Sequence, residues 1–205
     1  MKVNVIRRNE REMEFVLEDS NPQFANALRR TMMGEIPILA VEEVDFSQNE
    51  SVLYNEIIAH RLALIPLVFD AGKFHLKEEQ HEGDKSCQFC EVVFSINKKA
   101  PGVVYSKDMK SSNPDVKPAF DEIPIVELFD EQKLKLEATA RLGLGRLHAK
   151  FKAAVATYKY LDDSGTKFQF YVESVSGLDV ETIVMKSIEG LKHKLKEFDK
   201  QLKKT

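Results

Sequence analysis

The chain has 205 residues, of which 43% are hydrophobic and 31% charged, and its net charge is −3. This composition is typical of a globular protein with one or two domains, and it lacks the basic excess that indicates nucleic-acid binding. No apolar run approaches the roughly 20 residues that span a bilayer, and residues 1–4 lack the character of a signal peptide. We therefore expect a cytoplasmic protein without membrane contact, and the two cysteines fit a reducing compartment.

The N-terminal residues predict a β-hairpin followed by a helix. Apolar and polar residues alternate over 3–5 and 13–17, with a turn centred on Asn9 between them. Ser20 or Asn21 can cap the helix, Pro22 fits its first turn, and Pro37 marks its exit. One helix face carries an apolar stripe: Phe24, Leu28 and Met32. A different face carries the polar residues of the sequence NALRR: Asn26, Arg29 and Arg30.

The middle of the chain is expected to be mostly β-structure. Strict alternation of apolar residues makes 134–142 the longest predicted strand, and residues 162–165 predict a turn. The remaining predictions, in chain order, are a strand over 39–46, a helix over 55–65, a loop over 71–86, a strand over 90–96, mostly irregular structure over 101–124, and two strands over 150–161 and 167–173.

The C-terminal residues predict one long amphipathic helix over 179–204, roughly 39 Å at 1.5 Å per residue. Its large apolar residues recur every three or four positions and form what we call the seam: Val184, Ile188, Leu191, Leu195, Phe198 and Leu202. Burying each such side chain contributes roughly 1.5–3 kcal/mol, so the chain's own sheet or a partner must cover the seam. Because the helix is longer than a strand of roughly 17–20 Å, its distal half is expected to contact a second chain.

The order of elements predicts an α+β fold, since the strands do not alternate regularly with helices. Helices lie near both chain ends and a β-rich stretch separates them. We therefore predict a discontinuous domain formed by residues 1–37 and 166–205, with a β-rich domain inserted over 38–165.

Two groups of residues leave a functional and a structural interpretation open. The NALRR face is either a solvated helix surface or a set of guanidinium contacts to another subunit. Cys87 and Cys90 form a CxxC pair with His75 and His81 upstream, which is one possible set of four zinc ligands. Two inert cysteines that close a loop are the simpler interpretation, and a strand directly after the pair does not favour a thiol oxidoreductase.

No motif supports catalysis. Gly143 and Gly145 follow a strand, but the stretch lacks both the third glycine of a dinucleotide fingerprint and the Lys of a P-loop, so it predicts a bend. Glu56 and His60 lie one helical turn apart, yet no nucleophile accompanies them. A stand-alone binder of single-stranded nucleic acid needs a basic groove with interleaved aromatic residues, which the sequence does not indicate.

Three stretches, in a fixed order, resemble one family. They are FANALRRTMMGEIPILAVEEVDF (24–46), LYNEIIAHRLALIPL (53–67) and GLGRLHAKF (143–151), followed by FYVES and the long helix. The chain is similar to the family that comprises the D-type subunit of archaeal RNA polymerase, the third-largest subunit of eukaryotic RNA polymerase II and the N-terminal domain of bacterial α. The stretch AHRLALIPL points to the archaeal and eukaryotic branch.

The resemblance implies a polymerase subunit that serves as an assembly platform and carries no catalytic residue of its own. Its two chain ends would form a dimerisation domain. The implied contacts with a small α-like subunit, of the L type in archaea, involve the seam together with Phe24 and Leu28. Docking to the second-largest subunit, near the small zinc-binding subunits, is implied for Asn26, Arg29, Arg30, Glu56, His60, Arg61, Arg146, His148 and Lys150. No direct nucleic-acid contact is expected.

The sequence also departs from the family. Many archaeal members insert a cysteine-rich iron–sulfur domain before FYVES, whereas here residues 160–165 predict a simple turn, so no cluster is expected. Eukaryotic members carry a four-cysteine zinc site near the position of Cys87 and Cys90, of which this chain keeps one pair, so zinc is not expected. The alternative to a polymerase subunit is a small CxxC zinc-binding or thiol protein.

Overall fold

A computed structural model describes residues 1–76, 89–99 and 101–203. The chain divides into two compact units, one made of Met1–Ile38 with Leu144–Thr205 and the other of Leu39–Gly143. Both are built around antiparallel sheets, and the described helices lie at 22–34, 55–63 and 180–202. The fold is α+β with a β-rich middle, as the sequence predicts.

The elements have the following bounds. The helices are α1 (Pro22–Gly34), α2 (Asn55–Ala63) and α3 (Val180–Leu202). The strands are β1 (Lys2–Arg8), β2 (Glu12–Glu18), β3 (Pro37–Asn49), β4 (Leu67–Val68), β5 (Glu91–Lys98), β6 (Gly102–Tyr105), β7 (Lys110–Ser111), β8 (Lys117–Pro118), β9 (Pro124–Leu128), β10 (Leu134–Leu144), β11 (Ala154–Tyr160) and β12 (Phe168–Ser174).

The first unit has a four-stranded sheet in the order β1-β2-β12-β11, packed against α1 and α3. Its core lies between sheet and helices, where Phe15 stacks on Phe170 with ring centroids 4.9 Å apart. Both helices begin at a side-chain cap, because Asn21 accepts from the Phe24 N–H and Asp179 from the Thr182 N–H. Each cap satisfies a backbone donor that the first helical turn leaves free.

Strand β1 forms an uncovered edge of this sheet. All seven of its residues are exposed, although Val3 and Val5 lie opposite the buried Leu17 and Phe15 of β2. The hairpin turn is closed by the Asn9 side chain, which accepts hydrogen bonds from the N–H groups of the residue that precedes β2 and the residue that begins it. The predicted hairpin is therefore confirmed, but its first strand contributes little to the core.

The second unit has a four-stranded sheet in the order β3-β10-β5-β7 and two short ladders, β4-β8 and β6-β9. Arg141 on β10 ties the large sheet together through ion pairs with Glu91 at 2.7 Å and Glu43 at 2.8 Å. Arg61 holds α2 against β9 by donating to the Ile125 carbonyl oxygen at 2.7 Å.

Residues 101–124 are mostly outside strands, as predicted, although they contain β6, β7, β8 and the first residue of β9, which are too short to produce an alternating pattern. Two other predictions differ from the structure. Strand β11 begins at Ala154, because Ala149–Phe151 form a 3-10 turn. The chain returns to the first unit at Leu144, whereas we predicted residue 166, because β11 is hydrogen bonded to β12. The predicted loop over 71–86 lies outside the described residues beyond residue 76.

Candidate functional site

A close backbone approach brings two of the recognised sequence stretches together. After β10 the Arg146 N–H donates to the Gly34 carbonyl oxygen at 3.1 Å, so the GLGRLHAK segment lies against the C-terminal end of α1. A Cβ atom at Gly145 would overlap the Met33 carbonyl oxygen and lie 3.1 Å from the Gly34 Cα. Only glycine fits here without displacement of backbone. The predicted bend is confirmed, and its cause is packing rather than unusual dihedral angles.

This approach creates a cleft of about 790 Å³ between α1, the segment after β10 and α3. We call it the basic cleft. Its lining residues are Gln23, Asn26, Ala27, Arg30, Thr31, Met33, Gly34, Glu35, Gly145, Arg146, Ala149, Lys152, Leu191 and Lys194. Four of them are cationic and one, Glu35, is acidic, so the lining has a net charge of +3.

The polar face of α1 divides into two parts with different surroundings. Arg29 is half-buried and donates to Asn26 Oδ1 at 3.0 Å, and it also approaches Met33 Sδ at 3.9 Å. Arg30 is exposed and lines the basic cleft with Asn26. Arg29 therefore orients the Asn26 amide, while Arg30 presents its guanidinium to solvent.

The segment after β10 also divides its polar residues. His148 Nδ1 accepts from the Lys150 N–H at 3.1 Å and so caps the short 3-10 turn. The Lys150 ammonium lies 5.0 Å from the centre of the Phe151 ring, a cation–π contact. Of the residues predicted from this stretch, Arg146 is the one that lines the cleft.

Lys152 and Lys194 complete the cleft and were not predicted from the sequence. Lys152 lies one residue beyond the stretch GLGRLHAKF (143–151). Lys194 belongs to α3, where the strongest sequence pattern is the apolar seam and not the polar residues beside it. The Lys194 ammonium is 3.0 Å from a carboxylate oxygen of Glu35. No local sequence signal links α3 to α1, so Lys194 joins the cleft only through the packing of the two helices. Lys152 joins it because the segment after β10 lies against the end of α1.

The three docking residues predicted on α2 belong to the second unit. Glu56, His60 and Arg61 are exposed, and apolar side chains that are also exposed flank them, including Tyr54 and Leu64. Arg61 is already engaged with the Ile125 carbonyl. The α2 surface is therefore a separate candidate site with mixed polar and apolar character.

The seam of α3 changes character along its length. Its first half, Val184, Ile188 and Leu191, is half-buried. Its second half is open: Leu195 is 69% exposed, Phe198 63% and Leu202 60%. Phe24 on α1 is half-buried, but Leu28 is only 4% exposed. Leu28 therefore belongs to the core of its unit, which corrects its assignment to a contact surface.

The CxxC pair is only partly within the described residues, because Cys87 and the upstream His81 lie outside them. Cys90 is buried, and its Sγ lies 3.1 Å from His75 Nε2. Across 1–76, 89–99 and 101–203, no three His, Cys, Asp or Glu side chains are grouped so as to hold a metal ion. Likewise, no described helix is long and apolar enough to cross a membrane.

Comparison with known proteins agrees with the sequence resemblance. A family profile described as the RNA polymerase Rpb3/RpoA insert domain matches residues 44–161. The DNA-directed RNA polymerase subunit Rpo3 of Archaeoglobus fulgidus is 41% identical over 163 residues, which is 79% of this chain and 62% of the relative. Rpo3 of Pyrococcus horikoshii is 44% identical over 160 residues (78% and 60%), and that of Methanosphaera stadtmanae is 37% identical over 185 residues (87% and 67%).

The profile covers more than half of the chain, including most of the second unit and the part of the first unit up to residue 161. The chain therefore belongs to the Rpb3/RpoA family of RNA polymerase subunits. Its relatives within that family include the archaeal Rpo3 subunits. The chain spans about three fifths of the length of the Archaeoglobus and Pyrococcus relatives.

Proposed function

We propose that the chain is a non-catalytic assembly subunit of a DNA-directed RNA polymerase that acts in the cytoplasm. The observation that carries this proposal is the family membership, taken with the open distal seam of α3. An apolar stripe of three large side chains on a helix with no covering element is unfavourable in water. It is the kind of surface that a permanent partner buries.

The partner we assign to the seam is a small α-like subunit, of the L type in archaea. The exposed side chains of Leu195, Phe198 and Leu202 recur at the spacing of a helix-packing seam. Phe24 on α1 is half-buried, and the family resemblance implies that it belongs to the same contact. Pairing through helices of this kind leaves the polar face of α1 available for a second contact.

That second contact, in our proposal, is the second-largest polymerase subunit, with the small zinc-binding subunits nearby. The basic cleft and the α2 surface are the two regions that we assign to it. No catalytic, iron–sulfur or nucleic-acid-binding role is proposed for the chain.

Pairing is tested by co-expression of the chain with the small α-like subunit. We expect a stoichiometric heterodimer, and we expect Leu195→Asp to weaken it by at least roughly thirtyfold, because a carboxylate would have to be buried. His193→Asp makes the same charge change on the opposite side of the helix and should leave pairing intact. A wild-type chain that stays monomeric in the presence of the partner would refute the assignment.

Docking is tested with Arg30→Glu. This variant should still form the heterodimer, since Arg30 lies off the seam, but it should fail to recruit the second-largest subunit in a reconstitution followed by size-exclusion chromatography. Recruitment at wild-type levels would show that the NALRR face has no docking role.

One observation favours a second candidate, a small CxxC zinc-binding or thiol protein. The 3.1 Å approach of Cys90 to His75 brings two possible ligands together. Elemental analysis of the purified chain discriminates between the two functions: the polymerase proposal expects no stoichiometric zinc. Zinc that is present at one equivalent and lost in Cys90→Ser would favour the second candidate.

A further inference from the structure

The basic cleft contains the two arginines of the chain whose guanidinium groups have no hydrogen bond or ion pair to a described residue, Arg30 and Arg146. Every other arginine side chain is engaged. Their partners are Glu12 for Arg7, Glu181 for Arg8, the Ser174 carbonyl for Arg11, Asn26 for Arg29, the Ile125 carbonyl for Arg61, and Glu43 with Glu91 for Arg141. The free guanidinium groups are therefore concentrated at one place.

The surroundings of these two arginines are positively charged, whereas the chain as a whole is negatively charged. The protein carries a net charge of −3, yet the cleft lining adds Lys152 and Lys194 to the two arginines against the single carboxylate of Glu35. That carboxylate is already paired with Lys194. A concave surface lined by one sign of charge raises the local concentration of oppositely charged groups, so the cleft favours an anionic ligand.

The rest of the lining points to a polypeptide rather than a nucleic acid. Aromatic side chains, which provide stacking platforms for single-stranded nucleic acids, are absent from the described lining. The larger neutral side chains are instead the amides of Gln23 and Asn26 and the apolar side chains of Met33 and Leu191, and the other neutral residues are small. Such a mixture suits the peptide groups and apolar side chains of an extended segment, and guanidinium groups match carboxylates in bidentate geometry.

We propose that the basic cleft binds an acidic segment of a partner polypeptide. Arg30 and Arg146 form the carboxylate contacts, and Lys152 and Lys194 flank them. This inference rests on the proposed function and deepens it, because the segment would belong to the second-largest polymerase subunit, to which the proposed function assigns this cleft. It assigns a chemical character to the partner, and it adds two lysines to the recognition surface that no sequence motif indicated.

The test uses the full chain and a synthetic fluorescein-labelled peptide of eight aspartates, followed by fluorescence anisotropy. An octa-asparagine peptide and an eight-nucleotide oligothymidine carry the same label. We expect the acidic peptide to bind, with an affinity that falls as salt is raised, and the asparagine peptide not to bind. Arg30→Gln and Arg146→Gln should each weaken binding about tenfold, the effect of losing a charge-assisted hydrogen bond.

Lys152→Gln provides a matched comparison with Lys135→Gln, which removes the same charge from an exposed position on β10. The first should weaken peptide binding severalfold and the second should not. Equal losses of peptide affinity in both variants would mean that only the overall charge matters, and they would overturn the proposal. Oligothymidine that binds more tightly than the peptide would also overturn it, and so would a complete lack of peptide binding. None of these outcomes affects heterodimer formation through the seam, so the proposed function is tested separately.

Discussion

Arg29 and Arg30 are adjacent in sequence, but a rotation of about 100° along the helix gives them different surroundings. Arg29 donates to Asn26 and is half-buried, whereas Arg30 lies open in the basic cleft. The sequence predicted that both lie on a polar face, because helical spacing determines that. It did not predict which guanidinium would be satisfied within the chain, because that depends on the packing of side chains around the helix.

Two glycines of the first unit should respond in opposite ways to a methyl group. At Gly145 an added Cβ meets the Met33 carbonyl oxygen, and at Gly190 on α3 it lies 3.7 Å from the Thr31 methyl group, an ordinary contact. We therefore expect Gly145→Ala to lower the free energy of unfolding by about 1–3 kcal/mol. Gly190→Ala should raise it by about 0.5–1 kcal/mol, since alanine is favoured in a helix interior.

Urea denaturation of both variants and the wild type measures these changes. Gly190→Ala acts as the control for the substitution itself. A Gly145→Ala protein with a wild-type midpoint would mean that the segment after β10 does not press against α1 in solution.

At the scale of elements, the turn between β11 and β12 is held by one carboxylate. The hydroxyl groups of Ser164 and Thr166, with the N–H groups of Thr166 and Lys167, donate to Asp162 and lower its pKa from an ordinary 3.8 to about 2. A pKa lowered by folding means that the ionised carboxylate stabilises the fold. This contribution is complete above about pH 4, and it is lost as the pH falls through about 2.

We therefore expect Asp162→Asn to unfold at a lower temperature than the wild type at pH 7, with the difference closing below about pH 4. Thermal unfolding followed by circular dichroism at several pH values measures this. Asp163→Asn, one residue along, removes a carboxylate that has no such donors among the described residues and should match the wild type throughout. A difference for Asp162→Asn that does not change with pH would argue against an ionic contribution.

The elements that could be predicted from the sequence are those long enough to repeat their pattern. The hairpin, α1, α2, β10 and α3 all appear close to their predicted positions. Strands of two to four residues such as β7 and β8 were missed, since their pairing depends on partners distant in sequence. The same limit applies to the site: the polar face of α1 and the seam could be predicted from helical spacing, whereas Lys152 and Lys194 join the cleft through tertiary packing alone.

At the scale of the whole chain, the return to the first unit shows why a boundary is harder to predict than an element. The sequence placed it at the turn before β12, where the pattern of the terminal domain was expected to resume. The structure places it at Leu144, because β11 completes the sheet that β1 begins. Strand β11 joins this sheet only through its sequence neighbour β12, and β12 in turn pairs with the distant β2. The second pairing leaves no local sign in the sequence, so the hairpin could be predicted but not the unit to which it belongs.

The exposed apolar end of α3 also has a consequence for the abundance of the protein in the cell. Molecular chaperones and proteases act on exposed apolar segments, and a chain that is continuously triaged is kept at low abundance. In a copy that lacks a partner, the exposed side chains of Leu195, Phe198 and Leu202 would be accessible to chaperones and proteases. Pairing would bury these side chains and protect the copy. On the pairing proposed above, the amount of the partner would determine how many copies of this chain survive, so that the two would accumulate in equal numbers.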